Sequence, residues 1–146
     1  MKRTRYLLDV NVLIALIDPK HTQHDVAHEW FAAHGHHAWA TCPITENGVA
    51  RIVGHPRYPN SPGTPAEVAK LVVGLRALPG HVFWGDSISL FDGARIDTEY
   101  LLTSAQITDS YLLALASANG GQLATLDRRL ISTAVRGGAQ YLHIIS

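Results

Sequence analysis

The chain has 146 residues, 47% of them hydrophobic, and twelve basic and twelve acidic side chains give a formal net charge of zero. This composition argues against a disordered chain and predicts one domain over residues 1–146. Zero net charge argues against binding nucleic acid through a large basic surface. The single cysteine, Cys42, is compatible with a reducing compartment. The sequence has no run of about 18 apolar residues, so we expect no membrane span. We therefore expect a cytoplasmic protein.

Short apolar segments alternate with helical patterns along the chain. The first half predicts, in order, a strand at 5–8, helices at 11–17 and 21–35, a strand at 37–42, a helix at 43–54 and a loop at 55–63. The second half predicts a helix at 64–80, a strand at 81–86, an ambiguous segment at 87–106, a helix at 108–121, a strand at 122–127, a helix at 128–138 and a strand at 139–146.

Two helix starts carry capping signals. Thr64, Pro65 and Glu67 form the pattern of a capping box with proline in the first position. Thr108 is the expected N-cap of the helix that ends at the Gly120–Gly121 pair. The alternation of strands and helices predicts an α/β fold, a three-layer α/β/α sandwich around a central, mostly parallel sheet.

Four acidic residues lie beside apolar sequence, where a surface charge is not expected. Asp9 and Asp127 end predicted strands, and Glu46 and Asp109 lie early in predicted helices. In parallel sheets ligands bind at the carboxyl ends of the strands, so these side chains could converge on one cleft.

Clustered carboxylates need a counter-charge, which a divalent cation supplies. Mg²⁺ prefers oxygen ligands, and such ions activate water and offset charge on a leaving oxygen. The pattern therefore favours one or two Mg²⁺ or Mn²⁺ ions, with Asn11 and Thr125 supporting the ligands by hydrogen bonds.

Each acid also has a purely structural interpretation. Asp9 could cap the helix that follows it, and Glu46 or Asp109 could be first-turn acids favoured by the helix dipole. Asp127 could be a turn residue in an ion pair with the following Arg128 or Arg129.

The acidic motifs occur in an order that resembles PIN-domain proteins, most closely the VapC-type toxins of bacterial toxin–antitoxin pairs. The similar segments are LLDVNVLIAL, HDVAHEWF, CPITENGVARIV, HVFWGDSISL and ITDSYLLALASANGGQLATLDRRL. Together they cover nearly the whole chain, and Asp109 and Asp127 are eighteen residues apart (127 − 109).

The resemblance implies a Mg²⁺-dependent endoribonuclease whose catalytic and metal-binding residues are Asp9, Glu46, Asp109 and Asp127. It also implies a homodimer and a cognate antitoxin that lays a helix or an extended tail in the active-site cleft. An acidic cleft needs basic residues nearby to hold an RNA backbone. The candidates are Arg51, Arg57 and Arg128, with His55 and Arg129 beside them.

Three other functions compete with this interpretation. Asp9 could be the nucleophile of a phosphatase similar to haloacid dehalogenases, although Asn11 stands where a second aspartate is usual and Lys70 lies in a long helix. The histidines at 21, 24, 28, 34, 36 and 37 could form a transition-metal module. The domain could also bind proteins without catalysis, against which the four acids argue.

Overall fold

A computed structural model describes residues 3–146, so Met1 and Lys2 of the predicted domain lie outside the described residues. Its centre is one sheet of five parallel strands in the order β3-β2-β1-β4-β5. The strands are β1 (Tyr6–Leu8), β2 (Trp39–Thr41), β3 (His81–Phe83), β4 (Gln122–Thr125) and β5 (Leu142–Ile144). The helices are α1 (Val10–Ile17), α2 (His24–Ala33), α3 (Pro43–Val53), α4 (Pro65–Arg76) and α5 (Ile107–Ala118). No helix within residues 3–146 has the length and apolarity needed to cross a bilayer.

The central strand β1 shows how the layers form. Successive side chains of a strand point to opposite faces of the sheet, so Leu7 and Leu8 enter different cores, and both are fully buried. Leu8 packs with α1 to α4, whereas Leu7 packs with α5 and the segments around Ile96 and Val135. The predicted three-layer α/β/α sandwich with a parallel sheet is therefore confirmed.

The prediction of a helix at 128–138 is wrong. This segment forms turns, and Val135 makes an antiparallel bridge with Ile96. The Asp97 N–H donates to the Ala134 carbonyl, and the Arg136 N–H donates to the Arg95 carbonyl, both at 2.8 Å. These long-range bonds use backbone groups that a helix would pair locally, so tertiary contacts override the apolar spacing.

The helix starts are confirmed only in part. Thr64 precedes α4 and Pro65 begins it, but the Thr64 side chain makes no capping bond and Glu67 pairs with Lys70 instead. The helix α5 begins one residue before the predicted cap, at Ile107. The ambiguous segment holds two short 3₁₀ turns, Thr98–Tyr100 and Ser104–Gln106.

Asp18 anchors the loop at 55–63 to the C-terminal end of α1. Its buried carboxylate accepts hydrogen bonds from the Tyr58 hydroxyl and the Asn60 amide. Burial opposes the charge of Asp18, but these bonds and the Lys20 N–H together lower its pKa below the ordinary value. The eight residues of α1 place this anchor about 12 Å from the helix start.

Gly80, between α4 and β3, should tolerate no side chain. Its φ is +93°, and a Cβ there would clash with the carbonyl oxygen of His36. We expect Gly80→Ala to lower the free energy of unfolding by about 3 kcal/mol or more, measured by urea denaturation. The matched control is Gly120→Ala, at φ +69° with open space around it, which should cost about 1–2 kcal/mol. Equal losses in the two variants would contradict the packing argument.

Candidate active site

The site lies where the neighbouring strands β1 and β4 end. Leu8 is the register partner of Ala124, and the Asp9 N–H donates to the Ala124 carbonyl at 3.0 Å. Asp9 therefore follows β1 directly at the carboxyl edge, and Asp127 follows β4 after one intervening residue. The sheet register brings the two predicted strand-end acids to the same edge.

Both carboxylate oxygens of Asp9 are held in place. Oδ1 accepts the Val10 N–H at 2.8 Å, and Oδ2 accepts the Thr125 hydroxyl at 2.8 Å. Asp9 is thus the N-cap of α1, as its structural interpretation predicted. It is also only 6% exposed, so capping does not explain why a charged group is buried here.

Asn11 and Thr125 complete the network around Asp9. The Asn11 amide donates to the Thr125 hydroxyl at 3.0 Å, and its carbonyl oxygen accepts the Leu126 N–H at 3.1 Å. The Thr125 hydroxyl also accepts the Asp127 N–H at 3.1 Å. Thr125 therefore bonds to Asp9 directly, and Asn11 bonds to Thr125 and to the backbone that leads to Asp127. Their bonds fix how Asp9 and the backbone of Asp127 are oriented.

Asp109 lies in the first turn of α5 as the third acid of this group. Burial, followed by the charges of Asp9 and Asp127, raises the pKa of Asp109 to about 6. The pKa of Asp9 is raised too, chiefly by burial and to a smaller degree by Asp127. No hydrogen bond among residues 3–146 reaches the Asp109 carboxylate. The three aspartates thus form a group with excess negative charge.

Glu46, the fourth predicted acid, has hydrogen-bond and ion-pair partners of its own. Its Oε2 accepts the Thr41 hydroxyl at 2.6 Å, and Arg76 reaches both of its carboxylate oxygens at 3.4 Å. Since the Thr41 hydroxyl donates to Glu46, it accepts from His81 Nε2, 2.8 Å away. The structure thus places Glu46 on the β2–β3 side of the site.

The sequence did not single out Arg76, Thr41 or His81. Arg76 is thirty residues from Glu46 and is the last residue of α4, where a basic side chain is common. Only the alternation of β2, which puts Thr41 at the strand end, was a usable signal. Even that signal does not identify its partner.

The donor set fits a hard divalent cation. The groups available are carboxylate oxygens, and the raised pKa values of Asp9 and Asp109 show that positive charge nearby would be favourable. Within residues 3–146, no three His, Cys, Asp or Glu side chains already form a set that could hold a metal ion. Mg²⁺ commonly binds one or two carboxylates and keeps several waters, so a closed protein cage is not required.

Two competing interpretations receive no support from this geometry. A phosphatase would need a lysine near Asp9, but Lys70 is exposed and pairs with Glu67 at 3.3 Å. In the second helix, α2, His24 Nδ1 lies 2.6 Å from the Ala15 carbonyl, and in the turn before α2, His21 Nδ1 accepts the Gln23 N–H. The part of the chain that the structure describes groups no three histidines as metal ligands.

The predicted RNA-binding arginines are all exposed but lie in different places. Arg128 follows Asp127 at the site. Arg51 lines a cleft of about 740 Å³ with His55 and Pro65, and Arg57 belongs to the loop anchored at Asp18. Only Arg128 is next to an acid of the site. Binding of RNA by these three residues stays a prediction.

Comparison with known proteins identifies the family. Residues 6–136 match the model of the PIN domain. Ribonuclease VapC44 of Mycobacterium tuberculosis is 41% identical over 136 residues, which cover 93% of this chain and 95% of that protein. The chain therefore belongs to the PIN-domain family, and within it to the VapC-type proteins.

Solved structures show the same fold at low sequence identity. The crystal structure of Mycobacterium tuberculosis VapC20, a sarcin–ricin loop cleaving toxin, has a TM-score of 0.59 and 13% identity, covering 83% of this chain and 87% of that chain. The structure of VapBC2 from Rickettsia felis, bound to a DNA fragment from their promoter, has a TM-score of 0.56 and 13% identity, covering 86% and 89%. These likenesses support the fold.

Asp109 should make stability depend on pH. Its folded-state pKa of about 6 exceeds the ordinary 3.8, so between these values the folded protein binds more protons than the unfolded chain. Stability therefore falls as pH rises through this window. We expect Asp109→Asn to raise the free energy of unfolding at pH 7 by roughly 1–2 kcal/mol, less than the full pKa shift implies because water screens this half-buried group, and the gain should disappear below about pH 4.

The measurement is urea unfolding in EDTA across this pH range. The control is Asp25→Asn, which changes an exposed acid in the first turn of α2 and should not raise the free energy of unfolding at any pH, since the helix dipole favours a negative charge there. A gain from Asp109→Asn that is the same at pH 4 and pH 7 would show that the ionised charge of Asp109 is not its cause.

Proposed function

We propose that this chain is a Mg²⁺- or Mn²⁺-dependent endoribonuclease that acts as the toxin of a toxin–antitoxin pair. The observation that carries this proposal is the buried Asp9, oriented by Thr125 and Asn11 beside Asp109 and Asp127. This arrangement fixes the Asp9 carboxylate and leaves three aspartates without an ion-pair partner among residues 3–146, at the carboxyl end of the sheet. The ribonuclease activity in the names of relatives, 41% identical in the case of VapC44, supports the same conclusion.

The three aspartates would hold the metal, with Asp9 as the most rigid ligand. Thr125 and Val10 occupy one direction on each Asp9 oxygen and leave the remaining lone pairs for the ion. The chemistry that Mg²⁺ or Mn²⁺ supplies is activation of water near neutral pH and neutralisation of charge on the leaving oxygen. Asp109, with its raised pKa, would be drawn to its charged form by the cation.

Glu46 would complete the catalytic set from the β2–β3 side of the site. Thr41 and Arg76 restrict its carboxylate, which could then orient the attacking water and hold a proton from it. Arg76 could exchange Glu46 for a phosphate oxygen of RNA, since a guanidinium binds both groups in the same forked geometry. Arg128, beside Asp127, could contact the backbone on the other side.

The proposed partners are RNA, a cognate antitoxin and a second copy of the chain. The Rickettsia felis structure is that of a VapBC pair, which supports an antitoxin partner here. A basic antitoxin side chain in the cleft would meet the unneutralised aspartates and block RNA. The product of the neighbouring gene should copurify with this chain, and light scattering should give the mass of a dimer for the toxin alone.

The activity is tested by Asp9→Asn. Asparagine keeps the size of the side chain and one acceptor but removes the charge, so RNA cleavage should fall by about 10²-fold or more while the fold remains. Cleavage would be measured with purified protein and Mg²⁺, and Asp25→Asn should retain the parent activity. Full activity of Asp9→Asn would refute the assigned role.

The same pair of variants tests the toxin role in a bacterial host. Induction of the parent chain should arrest growth and create discrete new 5′ ends in total RNA, whereas Asp9→Asn should do neither. Arrest by both proteins without new ends would argue for a toxic effect other than RNA cleavage.

A further inference from the structure

Phe83 is an exposed aromatic residue at the carboxyl end of β3. It is 47% exposed, although it is part of the sheet. Its register partner is Thr41, whose hydroxyl donates to Glu46. Phe83 therefore lies one strand away from Thr41, the residue that donates to Glu46, at the carboxyl end of the sheet.

Arg76 connects this ring to the site. Its guanidinium lies 5.4 Å from the centroid of Phe83, within the range of a cation–π contact. The same group forks onto the two oxygens of Glu46 at 3.4 Å, and the Arg76 side chain is still 39% exposed. Within residues 3–146, this is the one ion pair made by any of the four acids. A positive charge, an aromatic face and an acid of the site thus adjoin one another.

We propose that Phe83 and Arg76 form a subsite for one nucleotide of single-stranded RNA next to the cleaved bond, with the base stacked on Phe83 and the phosphate bound by Arg76. This inference rests on the proposed ribonuclease function and names two residues that position its substrate. It also explains how a chain without net charge holds RNA beside an acidic cleft: attraction is local rather than spread over a basic surface.

Chemistry favours a nucleotide over a peptide as the occupant. An aromatic ring with an adjacent guanidinium is a common arrangement for unstacked bases, because every base has a π face and every nucleotide a phosphate. The cleft beside Phe83 has a volume of about 260 Å³ and is lined by Val73, Arg76, Ala77 and His81.

The test compares two strands of equal charge on full-length protein carrying Asp9→Asn, so that RNA stays intact. The probes are a fluorescein-labelled eight-residue oligouridylate and an eight-residue abasic ribose–phosphate strand, each titrated in Mg²⁺ and followed by fluorescence anisotropy. We expect the oligouridylate to bind about tenfold more tightly. Phe83→Ala should abolish this ratio, and Phe83→Trp should keep or increase it.

Two further variants separate the contribution of base stacking from that of phosphate binding. Phe91→Ala removes another exposed phenylalanine, 76% exposed and without a bond to the four acids, and should leave the ratio unchanged. Arg76→Ala should weaken both strands by a similar factor, because the phosphate is common to them. A ratio unaffected by Phe83→Ala, or equal weakening of both strands by that change, would overturn the subsite.

The outcomes for the subsite and for the nuclease are distinguishable. If the parent chain cleaves no RNA but shows the base-dependent ratio through Phe83, the subsite stands and the proposed nuclease function fails. If the parent chain cleaves RNA and the ratio is independent of Phe83, the nuclease stands and the subsite fails. A shift of the Phe83→Ala protein from dimer to monomer without a change in the ratio would assign the ring to a protein interface instead.

Discussion

The hydroxyl group of Thr125 is the point on which the site depends. It donates to Asp9 and accepts from Asn11 and from the Asp127 N–H, which uses its one proton and both of its lone pairs. Thr125 is completely buried, so the loss of one partner would leave a polar group without a hydrogen bond away from water. The free-energy cost of such a group exceeds what a hydrogen bond at the surface contributes. One hydroxyl group therefore links the pairing of β1 with β4 to the orientation of the Asp9 side chain and to the turn that begins at Asp127.

The distribution of charge around this point is uneven, and the unevenness suits the proposed chemistry. The aspartate side keeps carboxylates near one another with no basic partner among the described residues, and this arrangement lowers stability. On the other side, Arg76 neutralises Glu46. In the proposed function, the aspartate half of the cleft would attract a cation and the half that holds Arg76 would bind a phosphate. A sheet edge with acids alone would repel RNA along its whole length.

Much of the architecture could be predicted from sequence, because local patterns and parallel topology agree. Asp9 and Asp127 follow strands, and any parallel sheet that pairs those strands brings the two acids to one edge. The segment 128–138 was mispredicted because its apolar spacing is helical, while its backbone bonds go to a distant segment near Ile96. The pairing of Arg76 with Glu46 was missed for a related reason. A contact across thirty residues, made by a helix-end arginine, leaves no local pattern.

The bond from Thr125 to Asp9 spans 116 positions of the chain. The first strand and its aspartate therefore leave the ribosome well before the residues that orient this aspartate have been made. A nascent chain that ends before β4 has neither Thr125 nor Asp127, and it leaves the inner edge of β1 unpaired. The order of synthesis therefore delays assembly of the site, because the site cannot form until the ribosome has translated β4.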